Sequence, residues 1–165
     1  MATGGHKAWI IAALALLAGL SAAAVAQDLD HIPGHFEGVA SCAGSTCHGR
    51  AEGNGEVVRQ DEIATWQEPS RDSGAHSRAL AVLGGLRGRQ IAASLGLGDP
   101  TGEPACLGCH ATHIAAAVRG PRFQISEGVG CESCHGASGG WIATHYTTAG
   151  SHRADIANGM RSTTT

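Results

Sequence analysis

Three times in this chain a histidine directly follows the second cysteine of a close pair: Cys42-Ala-Gly-Ser-Thr-Cys47-His48, Cys106-Leu-Gly-Cys109-His110 and Cys131-Glu-Ser-Cys134-His135. Together these use all six cysteines. The second and third have the Cys-x-x-Cys-His spacing of covalent c-type haem attachment. Each thiol adds to one porphyrin vinyl, two intervening residues set the separation, and the adjacent histidine is the proximal ligand of the iron, here His48, His110 or His135. The Cys42/Cys47 pair has four intervening residues and needs a looped-out backbone, which Gly44 and Ser45 can supply.

Simpler readings compete at each pair. An isolated pair can be a disulfide, a thioredoxin-like redox couple or half a zinc site. Six cysteines in an exported chain would ordinarily suggest a disulfide framework. None of these explains the histidine after every second cysteine. With histidine at 10 of 165 positions, three such coincidences have a chance on the order of one in several thousand. The expectation is three covalently attached c-type haems.

The N-terminus supplies the compartment this chemistry requires. Lys7 is a positive n-region, residues 8–20 are uncharged and largely apolar, and Ala24-Val25-Ala26 is a small-residue cleavage site. A signal peptide over 1–26 would leave residues 27–165 as one three-haem domain in the periplasm or otherwise exported. The rival is an uncleaved anchor, because residues 8–26 could just span a bilayer; membrane association is expected only in that case.

Composition then limits the fold. Beyond Trp9 in the leader the large aromatics are Phe36, Trp66, Phe123, Trp141 and Tyr146, while glycine numbers 25. So little bulky apolar mass makes a poor core. Three large flat apolar haems would supply one, so the chain is expected to fold around its cofactors and to be largely unfolded without them. The processed chain is acidic, with ten Arg and no Lys against 14 Asp plus Glu, and shows no basic stripe for nucleic acid. Arg78, Arg119 and Arg122 lie near the motifs and are candidates to pair with haem propionates.

The expected class is mainly α with much irregular loop. Residues 27–40, with Pro33 and Gly34, read as an extended lead-in, and residues 62–68 as a short helix stopped by Pro69. Residues 76–95 read as the best helix, with Ala79, Leu80, Leu83, Leu86, Ala92 and Leu95 at helical spacing, weakened by Gly84-Gly85. A second helix is expected over about residues 104–118, ending at Gly120-Pro121, and a strand-like run over 122–126. Six further histidines (His31, His35, His76, His113, His145 and His152) and Met160 are available as distal ligands. His113 follows His110 too closely to reach the opposite face of the same haem.

Three segments resemble the multihaem cytochrome c-554 family: CAGSTCHG over residues 42–49, Trp66 followed by SGAHSRA over 73–79, and GVGCESCHG over 128–136. The resemblance covers about residues 38–161. It implies a periplasmic electron carrier with closely stacked haems, of the kind best known beside hydroxylamine oxidation, working with redox partner proteins. It also implies that His76 ligates the iron of His135, that His145 ligates the iron of His48, and that the iron of His110 is open. The family usually carries a fourth motif downstream; this sequence has three, so it is either a three-haem member or has lost a C-terminal portion. The alternatives to electron transfer are a small haem enzyme acting on a nitrogen oxide, hydroxylamine or peroxide at the His110 iron, and a subunit of a larger redox complex or filament.

Overall fold

The computed structural model describes residues 32–56, 58–147 and 150–163. The leader 1–26 and His31 lie outside the described residues. Seven α-helices occur among the described residues, and no strand. They are α1 (Glu62–Gln67), α2 (Gly74–Ser77), α3 (Ala79–Leu83), α4 (Leu86–Ser94), α5 (Pro104–His110), α6 (Cys131–His135) and α7 (His152–Ala157). Single 3₁₀ turns at Val39–Ser41, Ala116–Val118, Ile125–Glu127 and Ser138–Gly140 punctuate the loops. The class is the mainly α, loop-rich one expected.

Local chemistry explains most boundaries. Pro104 opens α5, where its missing N–H loses nothing and its fixed φ suits the first turn. The Ser151 hydroxyl caps α7 by accepting from the Ala154 N–H at 3.2 Å. Helix α4 ends in a paired closure: Leu97 N–H donates to Ala92 O and Gly96 N–H to Ala93 O, with Gly96 at φ +69°.

Three boundaries differ from expectation. The helix expected over 76–95 is three helices, because Arg78 leaves helical geometry and Gly84-Gly85 separates α3 from α4. The helix expected over 104–118 stops at His110: Ala111 turns extended, and the next amide, Thr112 N–H, donates to Gly128 O at 2.7 Å. A tertiary bond there outweighs helix continuation. Residues 122–126 form no strand; Ile125 instead begins a 3₁₀ turn. The one extended pairing nearby is an isolated parallel bridge between Phe36 and Arg119.

Two differently built regions result. In the helical region Leu83, Leu107 and Ala111 form a buried cluster, with Leu80, Cys106 and Ile125 packed against it. The other region joins the segment from Phe36 to Cys42 to α6 and the loop after it, and buries Val39, Trp141 and Ile142 beside the charged or polar Glu37, Glu132 and Ser138. Meanwhile Val82, Leu86, Ile91, Leu95 and Tyr146 stay exposed. So small a buried apolar set cannot by itself offset the conformational entropy of a chain this long.

Candidate functional site

The three cysteine motifs have two backbone forms. Cys106, Cys109 and His110 sit on α5, and Cys131, Cys134 and His135 on α6, so in each the two-residue spacing puts both thiols within one helical turn. Motif one is a loop folded back on itself. Cys47 N–H donates to Gly44 O at 2.8 Å, Gly49 N–H to Gly44 O at 3.0 Å, and His48 N–H to Cys42 O at 3.2 Å. The extra two residues are taken up within this turn, and His48 is returned to the level of Cys42. All six thiols are free of disulfide.

Motifs one and three touch. The neighbouring Cys131 thiol, with burial adding to it, raises the pKa of Cys42, and the Cys42 thiol lowers that of Cys131. His135 is half-buried; burial holds its imidazole below the ordinary histidine range, and nearby His48 adds to the shift. The Nδ1 of His135 is buried without a hydrogen-bond partner.

The other ring nitrogens define their tautomers. His110 Nδ1 lies 2.7 Å from Ala79 O, and His145 Nδ1 lies 2.9 Å from Ile142 O. A carbonyl only accepts, so each Nδ1 carries a proton, and in the neutral ring Nε2 is the nitrogen with the lone pair. His48 Nδ1–H donates to Glu62 Oε2 at 3.0 Å. Burial would raise the Glu62 pKa, but the bond to His48 and backbone N–H donors outweigh it and hold the carboxyl below its ordinary range. All three rings are thus in the form in which metal-bound histidines are held, with the second nitrogen hydrogen-bonded.

The His48 and His145 rings lie with centroids 6.3 Å apart and planes within 5° of parallel. It is the only histidine–histidine ring contact among the described residues. Two imidazoles bound on opposite sides of one ion, each nitrogen about 2 Å from it, place their centroids about 6 Å apart. Trp141 and Tyr146 set their rings edge-on to His145 at 5.4 and 5.5 Å and fix its orientation. A cleft of about 520 Å³ lies beside motif one, walled by Ala40, Ala43, Ile63, Trp66, Ser77 and Glu127. Free thiol pairs, histidines with a hydrogen-bonded second nitrogen and this ring spacing fit a covalently attached haem.

His76 reaches motif three through its backbone. Its carbonyl accepts from Val129 N–H at 3.0 Å, and the Trp66 indole N–H donates to Val129 O at 2.9 Å. The peptide two residues before Cys131 is therefore gripped on both sides by the segment that carries His76. Gly128 makes this possible: at φ +72° it favours glycine, and a Cβ there would come within 2.5 Å of His76 O. The His76 ring itself is exposed. His113 and His152 are exposed, and His35 and Met160 are half-buried. Of the arginines considered, Arg119 already donates to Ile114 O and lies over the Phe123 ring, whereas Arg78 keeps a buried Nη1 without a partner.

One residue of consequence was not singled out from the sequence. Glu132, between the cysteines of motif three, is 4% exposed. Its carboxylate accepts from Glu37 N–H at 2.9 Å, Gly38 N–H at 2.8 Å and Ser138 N–H at 2.8 Å. Beside it, the hydroxyls of Ser133 and Thr112 lie 2.7 Å apart, and Thr112 Oγ1 accepts from Gly130 N–H at 2.9 Å. The two residues between Cys131 and Cys134 thus clasp the N-terminal segment on one side and the exit of motif two on the other. An acidic residue where spacing alone seemed to matter was the only available signal.

No curated protein and no solved structure matches this chain. A family model described as cytochrome c554 and c-prime matches residues 41–136, a span that takes in all three cysteine motifs, the His76 segment and Glu132. The chain belongs to the cytochrome c554 and c-prime family.

Proposed function

We propose that this chain is an exported, periplasmic electron carrier with three covalent haems, at Cys42/Cys47, Cys106/Cys109 and Cys131/Cys134, and with His48, His110 and His135 as proximal ligands. Haem-based electron transfer and a covalently bound c-type haem follow from the family; the haem count, ligand set and compartment rest on the residues themselves. The haem, when bound, supplies an iron that takes up and gives back one electron. The protein must hold both axial nitrogens rigidly, so that oxidation changes the geometry little.

The observation that carries this reading is the His48–His145 pair, parallel at the spacing of two ligands on one ion. In the same scheme His76 serves the iron of His135, supported by the backbone grip on Val129, and the iron of His110 is open. Arg78 is the arginine best placed to meet a propionate. Residues 1–26 act as the export signal. Among the described residues no helix is long and apolar enough to cross a membrane. Redox proteins are the expected partners.

Intact mass of the denatured holoprotein tests the count: three haems are expected, and two with free Cys42 and Cys47 would refute motif one. His145→Ala and His76→Ala should each convert one low-spin haem to high-spin; unchanged optical and EPR spectra would overturn that ligand. Carbon monoxide should bind one haem in three of the reduced protein, and no binding would eliminate the open iron.

A further inference from the structure

The three proximal histidines differ in what holds their second nitrogen. For His110 it is a neutral backbone carbonyl, and the buried Nδ1 of His135 has no partner. For His48 it is the Glu62 carboxylate. Glu62 stands in the first turn of α1, and the same turn grips the His48 backbone, because Ile63 N–H donates to His48 O at 3.0 Å. The other Glu62 oxygen accepts from Arg59 N–H at 2.7 Å, which fixes the carboxylate. The Arg59 guanidinium is engaged elsewhere, on Asp61 at 2.9 and 3.0 Å. The Glu62 carboxylate that faces His48 therefore has no hydrogen bond from the Arg59 guanidinium.

We propose that Glu62 is a positioning residue that lowers the reduction potential of the motif-one haem relative to a haem whose proximal histidine bonds a carbonyl. This rests on the reading of His48 as an axial ligand. An anionic acceptor draws the Nδ1 proton towards itself and makes Nε2 a stronger donor. A stronger donor and a nearby negative charge both favour the ferric state over the ferrous one, since the oxidised centre carries one more positive charge. Glu62 acts through His48, and its removal changes a potential without removing a ligand.

The test is a spectroelectrochemical titration of the three-haem holoprotein, first checked for three haems by mass. In Glu62→Gln one of the three waves should move at least tenfold towards reduction, which for one electron is about 59 mV, and the other two less than threefold. Glu62→Ala should move the same wave at least as far. Glu68→Gln, which removes a carboxylate at the far end of α1 bonded only to Ser70, should move no wave more than threefold. An unmoved wave, a fall in potential, or equal shifts in all three overturns the assignment. If the Glu62 variants fail to load haem, nitrogen-15 histidine NMR of the reduced wild-type protein under carbon monoxide, which makes the open haem low-spin and diamagnetic like the others, decides. The His48 Nδ1–H should then resonate further downfield than that of His110, and the reverse order overturns the proposal. A wild-type protein without haem on Cys42 and Cys47 instead refutes the reading of motif one itself.

Discussion

The region around motifs one and three and the region around motif two are held by different forces. Around α6 the fixed points are polar and distant in sequence: Glu132 on Glu37 and Gly38, Trp66 and His76 on Val129, Ser133 on Thr112. Around α5 they are apolar and nearer, with Leu83, Leu107 and Ala111 packed together and the His110 ring tethered to α3 through Ala79 O. Apolar packing tolerates adjustment; a directional network sets distances and angles. The network joins motifs one and three, and the small core backs motif two.

The largest effect should come from removing what both regions share. With all six cysteines replaced by alanine, neither the few buried apolar residues nor the network should suffice. Circular dichroism should then show a largely unfolded chain without cooperative melting, and a cooperative transition would break the idea that the haems complete the core. Next is Glu132→Ala. It leaves three buried N–H groups without an acceptor, at ~1–3 kcal/mol each, so on the order of 5 kcal/mol should be lost in denaturant unfolding of the holoprotein. The haem proposed between His48 and His145 should lose its low-spin spectrum before the haem proposed at His110 is perturbed. Leu107→Ala should cost about 2–5 kcal/mol by leaving a cavity and should reverse that order of spectral loss. If both variants disturb the haems in the same order, the two regions are one unit. Smallest is Thr112→Val, at about 1–2 kcal/mol for its buried bonds. Thr112 joins the regions, so a double-mutant cycle with Leu107→Ala should show coupling, and additivity would separate the regions fully.

The sequence made the chemistry legible before the architecture. Cysteine and histidine spacing is what marks the proposed attachment sites, because that spacing is set by the cofactor's own dimensions. The short helix at Glu62–Gln67 was visible from its Pro69 stop. The long helix over 76–95 was misjudged because apolar periodicity continues through Gly84-Gly85 even though the backbone does not. The end of α5 at His110 could not be read locally, since it is decided by the bond from Thr112 to Gly128. Glu132 was hidden for the same reason: between two cysteines a carboxylate looks like solvent-facing filler, and its first two partners lie 95 and 94 residues away.

That separation also orders the events of folding. Bringing the ends of a ~95-residue flexible segment together costs about 4 kcal/mol in chain entropy, and hydrogen bonds to a charged group return about 1.5–3 kcal/mol each. Two such bonds barely cover the closure; the third, from nearby Ser138, tips the balance only once the loop beyond α6 has formed. A chain emerging N-terminus first therefore cannot fix residues 37–38 while they are newly exposed. They must wait, unlatched, until the last cysteine pair has arrived and turned into helix. The carboxylate latch on residues 37–38 closes only once the residue between the last two cysteines is in place.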